Sequence, residues 1–312
     1  MPTTRSPRKG SLQFWPRKRA SKFLPRVNWN VIDNSKGLKG FICYKAGMSS
    51  AFVKDNTPDY MTKGKKIVIP VTIIECPPMR IFSVRFYKNG KVMKEVLGEN
   101  LEKELKKKVK IPKTTHHINF EDIGEYDDIR VICYYEVKKT NIKKTPDFSE
   151  IGLSGSIDDK INFVKEHLKR EINITDLFEK NQLGDFRGLT KGKGLSGPVK
   201  RFGIGLKDHK SEKGVRRPGS LGPWHPARTT FRAPMAGQLG MFTRLVYNSK
   251  IVDIGKAENK FRNIKNYGEV KTNYIVVDGS VQGPAKRQLL ITKPLRETKK
   301  QKKKNFELIE LR

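Results

Sequence analysis

The run Gly192-Lys193-Gly194-Leu195-Ser196-Gly197 fits G-x-G-x-x-G, the spacing with which a tight turn can cradle a dinucleotide pyrophosphate. That chemistry also needs a strand before the turn, a helix after it, and an acidic side chain about twenty residues on. Here Pro198 and then Lys200-Arg201-Phe202-Gly203 follow, a sequence not expected to start an amphipathic helix. A P-loop fails as well. Gly188 to Gly192 is one residue short, and Gly194 stands where a magnesium-binding Ser or Thr belongs. The glycines have another use. Lacking Cβ, they let backbone amides approach a phosphate chain closely. Lys191, Lys193, Lys200 and Arg201 add cations at short intervals along the same path.

Further along, Trp224 stands in Gly222-Pro223-Trp224-His225-Pro226, with Arg216, Arg217, Arg228 and Arg232 on either side. The prolines restrict the backbone around the indole, and the flanking arginines leave it little apolar surface to join. It is expected at the tip of a basic hairpin, stacked on or wedged into a folded RNA, with His225 hydrogen-bonded beside it. Residues 1–26 repeat the combination. Arg5, Arg8, Lys9, Arg17, Lys18, Arg19, Lys22 and Arg26 occur without an acid and are interleaved with Phe14, Trp15 and Phe23. Cations give phosphate affinity and aromatic faces stack on bases, so this segment reads as an RNA-binding arm.

The other reactive residue types are not arranged for catalysis. Cys43, Cys76 and Cys133 are far apart, form no C-x-x-C pair and sit in or beside apolar runs, as reduced buried thiols do. The five histidines show no ligand spacing, His116 and His117 being adjacent, so neither a metal nor a cofactor is expected. Asp127-Asp128 and Asp158-Asp159 are neighbours that point different ways in a strand or helix, unlike the facing carboxylates of a glycosidase. An RNA-modifying or nucleotide-dependent enzyme would need a cofactor cradle and a positioned base. Neither is visible, and no small-molecule substrate is implied.

The 312 residues carry 65 Lys and Arg against 32 Asp and Glu, a formal net charge of +33. Self-repulsion on this scale opposes compaction unless a polyanion neutralises it, and nucleic acid is the first candidate. Composition alone leaves a chromatin or general polyanion binder open. A membrane partner is not expected: residues 67–74 (IVIPVTII) form the longest mostly apolar run and are far too short to span a bilayer. The basic N-terminus lacks the apolar core of a signal peptide, which points to a cytoplasmic protein.

The elements that must hold these residues are mostly strands. GFICYKAGMSSAFV, KKIVIPVTIIEC, MRIFSVRFYK and IRVICYYEV are rich in β-branched and aromatic residues, and Asn89-Gly90 signals a tight turn. A charged helix is expected over 99–109. A second, capped by Ser156, carries the stripe Ile161, Val164, Leu168 and Ile172, and Thr175 opens a third. After the long basic segment, TRLVYNSKIVDIG reads as two short runs joined by an Asn248-Ser249 turn. KFRNIKNYG, NYIVVDG and RQLLITK follow at intervals suited to a small antiparallel barrel or sandwich. The closing FELIELR reads as an added edge strand.

Taken together, RSPRKGSLQFWPRKRA (5–20), GFICYKAGM (40–48), ECPPMRIFSVRFY (75–87), KGKGLSGPVKRFG (191–203), LGPWHPAR (221–228), AGQLGMFTR (236–244) and GSVQGPAKRQLLITKPLR (279–296) resemble the ribosomal protein L three family in its archaeal or eukaryotic-like form. The resemblance spans nearly the whole chain in one order and is weakest over 91–182 and the Lys-rich C-terminus. It implies a mainly β fold: a translation-type antiparallel β-barrel with an α/β insertion and long basic RNA-binding extensions. The implied division is a basic N-terminal extension (1–38), the first part of the barrel (39–90), the insertion (91–182) and a return to the barrel (183–198). A Trp-tipped finger (199–235), the second part of the barrel (236–296) and a basic tail (297–312) complete it. It also implies a structural, non-catalytic role in the large ribosomal subunit, with large-subunit rRNA and neighbouring ribosomal proteins as partners. The internal finger would approach the peptidyl transferase centre and the path of incoming aminoacyl-tRNA, with Trp224 at its tip. Arg244, Lys286 and Arg287 join the implied rRNA-binding set. A His that is methylated in some family members aligns with Glu212, so that modification does not carry over.

Overall fold

The computed structural model describes residues 9–32, 37–98, 101–112, 124–136, 139–140, 142–210, 213–258 and 260–312. In chain order the strands are β1 (Gly37–Leu38), β2 (Gly40–Asp55), β3 (Lys66–Cys76), β4 (Met79–Lys88), β5 (Lys91–Leu97), β6 (Asp128–Tyr135) and β7 (Phe148–Ser154). Helix α1 (Ile157–His167) follows, then β8 (Leu183–Leu189), β9 (Leu195–Ser196), helix α2 (Pro198–Phe202) and β10 (Gly237–Gln238). The chain closes with β11 (Thr243–Lys256), β12 (Asn273–Asp278), β13 (Gln288–Thr292), helix α3 (Lys299–Lys303) and β14 (Phe306–Leu311). These elements fall into two compact units: Met1–Lys22 with Leu189–Thr243, and Phe23–Gly188 with Arg244–Arg312.

The larger unit holds two sheets. In one, pairing runs β13–β8–β11–β12–β3–β2 and returns from β2 to β13, so six strands close into the ring that a barrel requires. Closure lies between Gly40–Tyr44 of β2 and β13, with Gly40 opposite Thr292 and Tyr44 opposite Gln288. The far half of β2 instead carries β14, with Asp55 opposite Phe306. FELIELR thus adds the expected edge strand. The second sheet has the order β1–β7–β6–β4–β5. Its β4–β5 hairpin turns through Asn89 and Gly90, both at positive φ (50° and 74°), as a two-residue hairpin demands. The mainly β class expected from the sequence holds.

One apolar core serves both sheets. Phe41, Ile42, Phe186 and Leu290 of the ring lie in the same buried cluster as Met79, Val84, Val131 and Ile151 of the second sheet and Val164 of α1. Truncating a side chain such as Phe186 to Ala would cost about 3–5 kcal/mol. Helix α1 begins where the sequence places it. Ser156 Oγ accepts from Asp159 N and Asp159 Oδ2 in turn accepts from Ser156 N, closing a capping box.

Five expectations are corrected. Asn248-Ser249 is not a turn: β11 runs straight through, and Asn248 takes a positive φ of 52° inside it. Its amide, turned from the ladder, donates to Asp185 Oδ1 at 2.8 Å, which removes the cost of breaking register. KFRNIKNYG is not a strand. Ile264 and Gly268 exchange amide bonds at 2.8 and 2.9 Å, with Asn263 and Asn266 in left-handed conformations that asparagine tolerates. Of the helix expected over 99–109, the described part is a 3-10 turn, Lys103–Lys107, anchored by buried Leu105. Finally, α1 ends at His167, so Ile172 leaves the stripe and bridges to Met79 instead. The third expected helix is a single 3-10 turn, Ile174–Asp176. Among the described residues, no helix is long and apolar enough to cross a membrane.

Candidate nucleic-acid interface

The smaller unit gathers the two basic segments that the sequence singled out. Met1–Lys22 and Leu189–Thr243 hold eighteen Lys and Arg against Asp208 and Glu212 alone, +16 of the chain's +33 in about a quarter of its length. Such a unit needs an internal frame that does not rely on ion pairs. Main-chain bonds provide one. Thr190 N donates to Phe242 O (3.0 Å), Lys193 N to Leu239 O (2.9 Å) and Leu239 N to Gly194 O (2.9 Å), and β9 pairs with β10. The two flanks of the long basic loop therefore leave and return side by side. Gly240 permits their approach: its φ is +77°, and a Cβ there would stand 2.0 Å from the Lys191 carbonyl oxygen.

Where the sequence is not expected to start an amphipathic helix, a single helical turn, α2, occupies Pro198–Phe202, too short to serve as the helix of a dinucleotide-binding turn. Proline costs nothing at the first helical position, where its missing N–H would be unpaired anyway, and Gly203 ends the turn at φ +67°. The Pro-to-Gly framing was the legible signal for it. This single turn places Phe202, which is buried, as the apolar centre of the unit. Trp15 stacks over Phe202 with ring centres 6.1 Å apart, and Phe231 meets Trp15 edge-on at 5.5 Å. The Arg17 guanidinium lies 4.4 Å from the Phe202 ring and 5.4 Å from that of Trp15. Neither Phe202 nor Phe231 had been picked out from sequence.

Arg201 completes this centre. Its Nε donates to Gln238 O at 3.0 Å, Nη1 to Met235 O at 3.0 Å, and Nη2 to Arg17 O at 3.2 Å, while Arg17 Nη1 donates to Arg201 O at 2.9 Å. Burial depresses the Arg201 guanidinium below its ordinary pKa. Its fork is directed at main-chain carbonyls of its own unit. Ala20 N, donating to Met241 O at 3.0 Å, fastens the end of the arm.

The other sequence-selected residues separate into groups. Lys9, Phe14, Lys18 and Arg19 of the arm are exposed, as are Lys191, Lys193, Lys200, Arg216, Arg217, His225, Arg228 and Arg232. Lys193, Lys200 and Arg216 share the lining of a concavity of about 290 Å³ with Ser196 and Gly197. That hollow is the place of the G-x-G-x-x-G run. Trp224 is 87% exposed. Among the described residues, no strand lies between α2 and β10, so the expected basic hairpin is an irregular loop with one cross-bond, Lys207 N to Val215 O at 3.1 Å. Arg244, Lys286 and Arg287 belong to the larger unit. Lys286 is exposed at φ +66°, and the Arg287 guanidinium lies 5.2 Å from the Phe23 ring. Arg5, Arg8 and Glu212 lie outside the described residues. Among the described residues, no group of three His, Cys, Asp or Glu could hold a metal ion.

A charged surface with exposed aromatics, built on a carbonyl-stapled frame, suits an extended polyanion better than a small molecule. Comparison with known proteins gives the family. The family described as Ribosomal protein L3 matches residues 1–312. A large ribosomal subunit protein uL3 of Methanocaldococcus jannaschii is 39% identical over 306 residues, covering 93% of this chain and 91% of its own length. The protein of the same name from Methanothrix thermoacetophila is 36% identical over 312 residues (95% and 93%), and that from Methanococcus vannielii 38% over 300 residues (91% and 90%). Matched from end to end, the chain belongs to the ribosomal protein L3 family.

Proposed function

We propose that the chain is a structural constituent of the large ribosomal subunit, binding large-subunit rRNA chiefly through the unit built from residues 1–22 and 189–243. Family membership supports the assembly, and one observation carries the mechanism: Trp224 stands 87% exposed in a unit with sixteen net positive charges. Lys9, Lys18, Arg19, Lys191, Lys193, Lys200, Arg216, Arg217, Arg228 and Arg232 neutralise converging phosphates. Phe14, Trp224 and His225 contact bases. Arg17, Trp15 and Arg201 act chiefly on this surface's shape, holding the arm to the loop flanks. Arg244, Lys286 and Arg287 extend the phosphate contacts onto the larger unit. Trp224 marks the part that reaches toward the peptidyl transferase centre, and neighbouring subunit proteins complete the surroundings.

The test is sedimentation of tagged chain through a gradient at rising salt, with binding to isolated large-subunit rRNA measured beside duplex DNA. Cosedimentation with the large subunit and a preference for its rRNA are expected. Equal affinity for duplex DNA would instead mark a general polyanion binder.

A further inference from the structure

We propose that the outer edge of β14 is a docking strand for an extended, Lys- or Arg-bearing segment of another protein, a proposal that rests on the ribosomal reading above. Among the described residues, β14 pairs with β2 alone and ends its sheet. Ser50 and Arg312 exchange both main-chain bonds, at 3.2 and 2.8 Å. Strand alternation then turns the N–H and C=O of the preceding residue, Leu311, away from β2. Toward the other end, Phe306 N is taken by Asn181 Oδ1 at 3.0 Å, which closes that end of the edge.

The outward groups open into a groove of about 740 Å³, bounded by Phe306–Leu311 on one side and Val252, Asp253, Phe261 and Tyr274 on the other. Phe261 and Tyr274 stack edge-on at 4.6 Å, and with Val252 and Phe306 they form part of a buried apolar cluster beneath it. An unpaired strand edge beside an apolar floor is the arrangement by which sheets accept an added strand. The edge is short, and the β2–β14 register shifts between Leu308 and Glu310, leaving Ile309 at a β-bulge, so the regular pairing it offers an added strand lies at Leu311, beyond the bulge.

Charge selects the occupant. Asp253 is satisfied within the protein, by Tyr274 Oη at 2.6 Å and Lys180 Nζ at 2.7 Å. Glu307 and Glu310 of β14 and Lys260 are then the remaining charged lining residues, a net negative groove on a chain of charge +33. Phosphates would meet two carboxylates there, whereas a basic peptide strand would gain both main-chain bonds and ion pairs. Ile309, 48% exposed at the bulge of β14, offers a position for a probe.

The experiment places the photocrosslinker p-benzoylphenylalanine at Ile309 in full-length chain, assembled into large subunits and irradiated there, with the crosslinked peptide sequenced. The expected product joins position 309 to a protein segment bearing Lys or Arg, and its yield falls at least tenfold in an E307K/E310K background that still assembles. Crosslinking to rRNA, to a second copy of this chain or to nothing overturns the proposal, as does a yield indifferent to charge reversal. Should the double variant fail to assemble, the identity of the partner in the otherwise unaltered chain still decides. A chain absent from the large subunit altogether overturns the ribosomal reading and this proposal together; one present without the expected crosslink overturns only the docking strand.

Discussion

Arg17 and Arg201 each donate a guanidinium N–H to the other's main-chain carbonyl, at 2.9 and 3.2 Å, across 184 positions of sequence. Two cations thus hold one another through carbonyl dipoles, in a unit almost devoid of carboxylates. The arrangement keeps the arm and the loop flanks joined while leaving the unit's charge available to phosphate.

Arg201→Ala should therefore release the arm. Hydrogen bonds from a charged donor contribute about 1.5–3 kcal/mol each, so a local loss of about 2–3 kcal/mol is expected. Hydrogen exchange at the Ala20 amide, bonded to Met241 O, should quicken by about thirtyfold or more for such a loss. Arg201→Lys should recover less than half of it, because an ammonium cannot span several carbonyls as a planar fork does.

Gly240→Ala tests the frame at a different point. A positive φ costs about 1–3 kcal/mol for a residue with a side chain, and here the added Cβ would also strike the Lys191 carbonyl oxygen. Thermal unfolding and protease cleavage within 190–242 should both report the loss. Gly205→Ala, where nothing lies within 4 Å of the new methyl, should stay within about 0.5 kcal/mol of the parent.

Trp224→Ala should behave in the opposite way. With 87% of the residue exposed, its removal should change stability by less than about 0.5 kcal/mol and leave assembly intact. Aminoacyl-tRNA accommodation, or the response to drugs that act at the catalytic centre, should change. Ribosomes carrying the variant and unaltered in both would refute the role of the tip.

The three thiols supply a check on the core. Cys43, Cys76 and Cys133 are all fully buried, and burial pushes the Cys133 thiol up to about 12. At pH 8 a thiol-specific reagent should leave all three unmodified in the native chain and label all three after denaturation, since the thiolate is the reactive form. Rapid native labelling of Cys133 would mean that β6 does not pack as described.

Local chemistry was the legible part of this fold. Asn89-Gly90, the Ser156 cap and the β-branched runs each carry their structure within a few residues, and the family motifs ordered them. What sequence hid was set by distant partners. Asn248 stays inside a strand because Asp185, sixty-three positions away, receives its amide. Phe202 becomes the centre of a unit because Trp15, Arg17 and Phe231 converge on it from two segments. Arg201 read from sequence as one phosphate ligand among many, and only its carbonyl partners, Arg17, Met235, Ala236 and Gln238, distinguish it. The G-x-G-x-x-G run misled in the converse sense: its spacing is real, but it lines a hollow shared with Lys200 and Arg216.

The most direct test of the rRNA-binding surface places a photocrosslinker at Trp224 and, separately, at Arg216, in chain assembled into large subunits, with the crosslinked nucleotides mapped. Both positions should join to large-subunit rRNA, with those from Trp224 falling near the peptidyl transferase centre. Crosslinks from both that reach only protein, or none at all from subunits that contain the chain, would contradict it.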